Sequence, residues 1–259
     1  MSDIIFIHNL NPIAINIIGV NIYWYSLAYI LGFVFSLFYT KNLIKKGIIN
    51  LNINIMDDFI SWAIIGVIIG GRLGYVLFYN LEFYSSNLLD IIKIWKGGMS
   101  FHGGLVGLLL SVFLFSKKKK IYAAELVNLV ALCSPIGIFL GRVANFINGE
   151  LVGKPTNQNW GVLFESGDLL RHPSQLYEAF CEGLMIFIIF QILIKFKLSN
   201  KVNFYSIFLI NYSIVRFSIE FFREPDQQLG LIFLNLSMGQ VLSIPMFLAG
   251  IIFIKYGKN

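Results

Sequence analysis

Residues 137–153 read Gly137-Ile138-Phe139-Leu140-Gly141-Arg142-Val143-Ala144-Asn145-Phe146-Ile147-Asn148-Gly149-Glu150-Leu151-Val152-Gly153. An apolar run notched by glycines leads straight into Arg142, Asn145, Asn148 and Glu150. In water such a sequence would be unremarkable. Within or beside a bilayer, each of those polar groups is costly unless paired, so their concentration marks a site. Arg142 and Asn145 are three residues apart and share a face if the helix continues that far. An arginine fork beside a carboxamide suits an anionic headgroup, and phosphate above all.

The rest of the chain supplies the bilayer. The 259 residues are 57% hydrophobic and 13% charged, with a mean hydropathy of +0.73. A water-soluble domain of this size cannot hide so much apolar surface. Strand alternation over long stretches is absent, which argues against an outer-membrane barrel. The expected class is an all-α polytopic membrane protein, a single integral membrane domain over residues 1–259.

The net charge of +6 does not indicate nucleic acid, because of where it lies. Lys41, Lys45 and Lys46, then Lys117 to Lys120, then Lys195, Lys197 and Lys201, then Lys255 and Lys258 each follow an apolar run, at alternate run ends. That is the positive-inside pattern. It predicts seven transmembrane helices with the N-terminus outside and the C-terminus inside. The expected spans are 22–39, 59–78, a third opening on Gly97–Gly104 and ending at Ser116, 122–141, one from the Pro173–Ser174 helix start to Ile194, 204–222 and a last one opening at Ser237. All five arginines, Arg72, Arg142, Arg171, Arg216 and Arg223, lie outside the lysine groups. In a chain rich in Ile, Asn, Lys and Phe, lysine is the default cation, so an arginine carries more information.

Several local readings follow. The segment before Asn21, interrupted by Pro12, is expected along the membrane interface, with His8 as a surface residue. Gly66, Gly70 and Gly74 repeat every four residues, a close-packing helix face. Arg72 is open to two readings, an ion pair with a carboxylate or a ligand contact. Asn87 to Trp95 reads as an interfacial helix. Residues 148–173 form the longest polar stretch, a small outer subdomain between the fourth and fifth spans with short strands near Gly161 to Phe164. Pro173 beside Ser174 starts a helix. Tyr212, Arg216, Glu220 and Arg223, spaced four, four and three, form a polar stripe. That stripe is either an internal Arg216–Glu220 pair or the wall of an anion-binding cavity. His8, His102 and His172 are too scattered for a metal motif. Cys133 and Cys181 are packing residues.

Four ordered motifs carry a resemblance. They are Gly97-Gly98-Met99-Ser100-Phe101-His102-Gly103-Gly104, the Gly141–Glu150 stretch, His172-Pro173-Ser174-Gln175-Leu176-Tyr177-Glu178, and Glu220-Phe221-Phe222-Arg223-Glu224-Pro225-Asp226 with Ser237-Met238-Gly239-Gln240. Together they resemble the bacterial prolipoprotein diacylglyceryl transferases from about Pro12 to the last span. The resemblance implies an inner-membrane enzyme, with no metal and no cofactor. Its partners would be phosphatidylglycerol and a preprolipoprotein signal peptide with a lipobox cysteine. The diacylglyceryl group passes to that cysteine thiol, forming a thioether, and glycerol phosphate leaves.

By match to those motifs, Arg142 and Arg216 bind the headgroup and stabilise the leaving phosphate, and Asn145 orients it. His102 is the candidate base, with Tyr212 or Tyr25 as partner. Glu150 and Gly153 continue the substrate-binding signature, and Glu220 and Arg223 hold the stripe in place. Many relatives carry an acidic residue where this chain has Asn128. The competing class is a phospholipid transporter or scramblase, against which stand the lack of an internal repeat and the clustering of polar groups toward one face.

Overall fold

The computed structural model describes residues 6–165, 167–198, 202–225 and 230–256. Lys201, Asp226 and Lys258 lie outside the described residues. The chain divides into two compact units, one of residues 1–36 with 130–259, the other of residues 37–129.

The elements run β1 (Phe6–His8), β2 (Ile13–Ile17), β3 (Val20–Tyr23), α1 (Trp24–Lys45), α2 (Ile55–Tyr79), α3 (Leu81–Ser86), α4 (Phe101–Lys119), α5 (Ala123–Ile147), β4 (Val162–Phe164), β5 (Leu170–Arg171), α6 (Ser174–Glu178), α7 (Ile186–Lys195), α8 (Phe204–Ile219), β6 (Leu231–Phe233), β7 (Leu236–Ser237) and α9 (Met238–Tyr256). A π-helical turn, Ala179–Met185, joins α6 to α7. Among the described residues, six helices are long and apolar enough to cross a membrane: Trp24–Lys45, Ile55–Tyr79, Phe101–Lys119, Ala123–Ile147, Ser174–Lys195 and Met238–Lys255. The chain is therefore a helical, multi-pass membrane protein. The expected sixth of seven spans is shorter, because α8 stops at Ile219 rather than Phe222. At about 1.5 Å per residue its 16 residues extend roughly 24 Å, less than the ~30 Å of a hydrocarbon core.

In the unit of residues 37–129, α2 and α4 meet along glycines. A methyl group added at Gly70 would fall on the Gly103 carbonyl oxygen, and one at Gly74 would lie 2.8 Å from the Gly103 Cα. Only residues without a side chain allow that approach. Gly70→Leu is therefore expected to force the two helices apart and to lower the melting temperature in detergent by several degrees. An unchanged melting curve would refute the contact. At the lysine-bearing ends, Lys41 pairs with Asp57 and Lys119 with Asp58, each at 2.6 Å. The ends of α1 and α4 thus meet the start of α2.

Arg72 resolves in a way neither reading anticipated. It is buried, and its guanidinium donates to the main-chain carbonyls of Ile91 at 2.7 Å, Asp90 at 2.6 Å, Gly98 at 3.0 Å and Lys93 at 3.3 Å, and also to that of Gly97. Its five N–H groups staple the loop after α3 to α2. That loop holds two 3₁₀ turns, Leu88–Ile92 and Ile94–Lys96, in place of the expected interfacial helix.

In the unit of residues 1–36 and 130–259, the N-terminal segment forms strands. β2 and β3 pair antiparallel as a hairpin, whose exposed Ile15, Ile17, Ile18 and Val20 give it the apolar surface of an interfacial segment. β1 pairs parallel with β4, and β4 pairs antiparallel with β5, within the polar stretch expected to carry strands. This corrects the reading of His8, which is 5% exposed. Its ring lies 5.0 Å from Phe164 and 5.4 Å from Phe146, and its Nε2–H donates to the Phe146 carbonyl at 2.6 Å. His8 thus ties the first strand to the last turn of α5, the turn that carries Asn145.

Candidate active site

The site is built on α5, the Ser174–Lys195 helix and α8. Ser174 begins its helix after Pro173, as the sequence predicts, and anchors it by donating from Oγ to the Leu151 carbonyl at 3.1 Å. One turn apart on this helix stand Glu178 and Glu182, both fully buried. The π-helical turn begins between them, a distortion often found at functional sites. Gly183 lets this helix close on α5, since a methyl group there would lie 2.7 Å from the Phe139 Cβ. Arg142, one turn beyond Phe139 on α5, is thereby brought to the two carboxylates.

Arg142 pairs with Glu178 at 3.0 Å and with Glu182 at 3.2 Å. Arg216, from α8, pairs with Glu178 at 2.7 Å, with Glu182 at 3.3 Å and with Glu220 at 2.7 Å. Arg223, just past the end of α8, donates to Glu178 at 3.2 Å. Three guanidinium groups and three carboxylates thus share one buried cluster of zero formal charge. Of the two readings of the α8 stripe, the internal Arg216–Glu220 pair is present, and the same arginine also faces two further carboxylates. Tyr212, one turn before Arg216, lies in electrostatic contact with Glu182, Arg142, Arg216 and Glu178 and stacks on Phe208 at 5.4 Å.

Beside the cluster, Asn145 donates to Glu150 at 3.1 Å. Gly153 is wedged between two strand-like backbones. Its N–H donates to His172, its neighbour Lys154 donates to Phe222, and a methyl group on it would lie 2.8 Å from the Phe222 carbonyl oxygen. This bridge carries Arg223 back toward Glu178. Arg171 holds the same loop, donating to the Gly153 carbonyl at 3.0 Å and pairing with Glu224 at 3.1 Å. Burial lowers the His172 pKa, favouring the neutral ring. Ser237 and Gln240 open α9 with a reciprocal capping box, each main-chain N–H donating to the other's side chain at 3.1 and 3.3 Å.

Arg142, Arg216, Tyr212, Glu220 and Arg223 are therefore assembled in one place, with Asn145 and Glu150 adjoining and Gly153 fixing the loop behind. Tyr25 is exposed at the start of α1, its ring edge-on to Tyr29 at 5.4 Å. His102 is exposed on the first turn of α4, in the unit of residues 37–129. Glu178 and Glu182 were missed as site residues. The available signal was a pair of carboxylates one turn apart in an otherwise apolar span.

The fold and this cluster define a multi-pass membrane protein with arginines and carboxylates paired in its apolar interior. Comparison narrows the class. Residues 12–256 match the family model of prolipoprotein diacylglyceryl transferase, and the chain belongs to that family. It is 49% identical over 245 residues to the phosphatidylglycerol–prolipoprotein diacylglyceryl transferase of Rickettsia felis, covering 93% of this chain and 95% of the relative. It is 47% identical over 246 residues to that of Rickettsia bellii, covering 94% of each. For the Rickettsia africae protein of the same name the identity is 49% over 245 residues.

Proposed function

We propose that the Arg142–Arg216–Arg223 cluster is where this enzyme holds the phosphate of its lipid donor. The chain is a transferase. It moves the diacylglyceryl group of phosphatidylglycerol to the cysteine thiol of a prolipoprotein, as the names of its relatives state. The observation that carries the site is the convergence of Arg142 and Arg216 on one pair of carboxylates, 36 to 40 residues from Arg142 in sequence.

In the transfer the thiol sulfur attacks the terminal diacylglycerol carbon, and the carbon–oxygen bond to phosphate breaks. The thiol loses its proton, and the departing phosphodiester becomes a monoester with more negative charge. Guanidinium groups aimed at that phosphate stabilise the transition state more than the bound lipid. A guanidinium has five N–H donors. Arg142 makes two carboxylate contacts, which leaves donors to turn toward a phosphate. Glu178 and Glu182 hold the two guanidiniums together before the lipid arrives, which reduces the reorganisation required during the reaction. Asn145 and Glu150 position the headgroup, and Glu220 and Arg223 brace Arg216 and Glu178. His102 is the proposed base for the thiol, with Tyr212 or Tyr25 assisting. The protein resides in the inner membrane with seven spans, its N-terminus and active site periplasmic, its C-terminus cytoplasmic and residues 148–173 as a periplasmic subdomain.

The test is direct. Purified protein, phosphatidylglycerol and a peptide containing a lipobox cysteine are expected to yield a peptide heavier by one diacylglyceryl group, with glycerol phosphate released in equal amount. Movement of lipid between leaflets without any mass increment on the peptide would favour a transporter instead.

A further inference from the structure

Next to the arginine cluster two carboxamides share one anchor. Gln175 Nε2 donates to the main-chain carbonyl of Glu150 at 2.5 Å, and Asn148 Nδ2 donates to the Glu150 carboxylate at 3.3 Å. These contacts fix both amide orientations, because a flipped amide would set oxygen against oxygen. Each therefore leaves its carbonyl oxygen pointing elsewhere. Both oxygens, Gln175 Oε1 and Asn148 Oδ1, are buried and have no donor among the described residues, and Gln175 is 0% exposed.

A buried acceptor without a donor is costly and rare. The neighbouring N–H groups cannot serve, since those of Asn148, Gly149 and Glu150 are spent on the carbonyls of Ala144, Phe146 and Asn145. The Ser174 N–H is spent on His172 and its hydroxyl on Leu151. One N–H of the Asn145 amide is already given to Glu150. The corner thus holds two buried acceptors that none of these neighbouring donors reaches. It suits a ligand that brings donors and no negative charge. A phosphate brings none. A polyol brings one per hydroxyl.

We infer that Gln175 Oε1 and Asn148 Oδ1 form a polyol subsite that accepts hydrogen bonds from the two free hydroxyls of the donor lipid's glycerol headgroup. This rests on the reading of the arginines as the phosphate site. The placement agrees: Asn145, tied to Glu150, lies one helical turn from Arg142 along α5, a rise of about 4.5 Å, comparable with the reach of a glycerol beyond its phosphate. The arginines then hold the charge common to all anionic phospholipids, while the carboxamides distinguish a glycerol headgroup from others.

The experiment varies the lipid first, so that folding is not at issue. The purified wild-type protein is assayed for peptide modification with phosphatidylglycerol, and with an analogue whose headgroup is propanol, equal in charge and lacking both hydroxyls. The subsite requires kcat/KM to fall by about tenfold or more with the analogue, the size expected when two buried neutral hydrogen bonds are lost. Equal use of the two lipids overturns the inference, the two oxygens then holding water only. Equal use of phosphatidylethanolamine overturns it as well, since the corner would then accept any donor. Gln175→Met and Asn148→Leu are expected to narrow the preference for phosphatidylglycerol over the propanol lipid, mainly through KM. Full discrimination in both variants would place headgroup reading elsewhere. A wild-type protein that modifies no peptide with phosphatidylglycerol would instead sink the proposed function beneath it.

Discussion

Replacing Arg142 by alanine is expected to lower kcat/KM for diacylglyceryl transfer by roughly 10³-fold, with the protein still inserted in the membrane. Loss of one preorganised donor at a developing charge costs about 10²–10³ in rate, and Arg142 contributes several N–H groups. It is the most accessible of the three clustered arginines, its side chain 18% exposed against 13% for Arg216 and 7% for Arg223. Catalytic and structural roles can be separated by charge. Arg142→Ala leaves two guanidiniums against three carboxylates, a buried excess of one negative charge. Adding Glu182→Gln restores neutrality, because Glu182 is an acceptor that Arg142 and Arg216 share. The double variant is expected to recover the wild-type melting temperature in detergent while remaining inactive in the peptide mass assay. Recovery of transfer in the double variant, or normal turnover in the single one, would remove Arg142 from the chemistry.

What the sequence disclosed and what it hid divide along the range of the interactions. Hydropathy and lysine placement marked the membrane class because both are sums over local windows. The glycines of α2 were readable because their repeat at four is a property of one helix. Arginines stood out from lysines for a similar reason, and of the five, three entered the cluster while Arg72 and Arg171 became loop staples. The partners were not readable. Glu178 and Glu182 lie 34 to 45 residues from the arginines they hold, and no periodicity connects them. Arg72 illustrates the converse limit: its acceptors are main-chain carbonyls, which every residue has, so nothing in the sequence distinguishes them. His8 was misplaced because a three-residue strand has no detectable alternation, and its burial depends on β4, more than 150 positions later. The span ending at Phe222 was too long because the polar stripe was read as continuous helix. Arg223 instead leaves the helix to meet Gly153 and reaches Glu178 from outside α8. The capping box of Ser237 and Gln240, by contrast, is wholly local and stands in the sequence as written.

Glu178→Ala is expected to produce the largest loss of stability of any single substitution in this chain. Glu178 receives Arg142, Arg216 and Arg223 at 3.0, 2.7 and 3.2 Å, three guanidiniums on one carboxylate. Its removal leaves three guanidiniums facing two carboxylates in an apolar interior. Breaking a buried ion pair on one side costs about 3–5 kcal/mol, chiefly because the remaining charge is uncompensated. For a domain of this size that corresponds to a fall of roughly 10 °C in melting temperature. Glu178→Gln separates charge from shape. It keeps an acceptor of the same size, so it should melt between wild type and Glu178→Ala. It also leaves the cluster with one excess positive charge, which favours an anionic headgroup. The Gln variant is therefore expected to show a lower KM for phosphatidylglycerol than wild type, together with a lower melting temperature. Those two changes run in opposite directions, and a simple packing role for Glu178 predicts only the second. A wild-type melting curve for Glu178→Ala would mean that the three arginines do not depend on this carboxylate, and the cluster would no longer account for how they are held ready for phosphate.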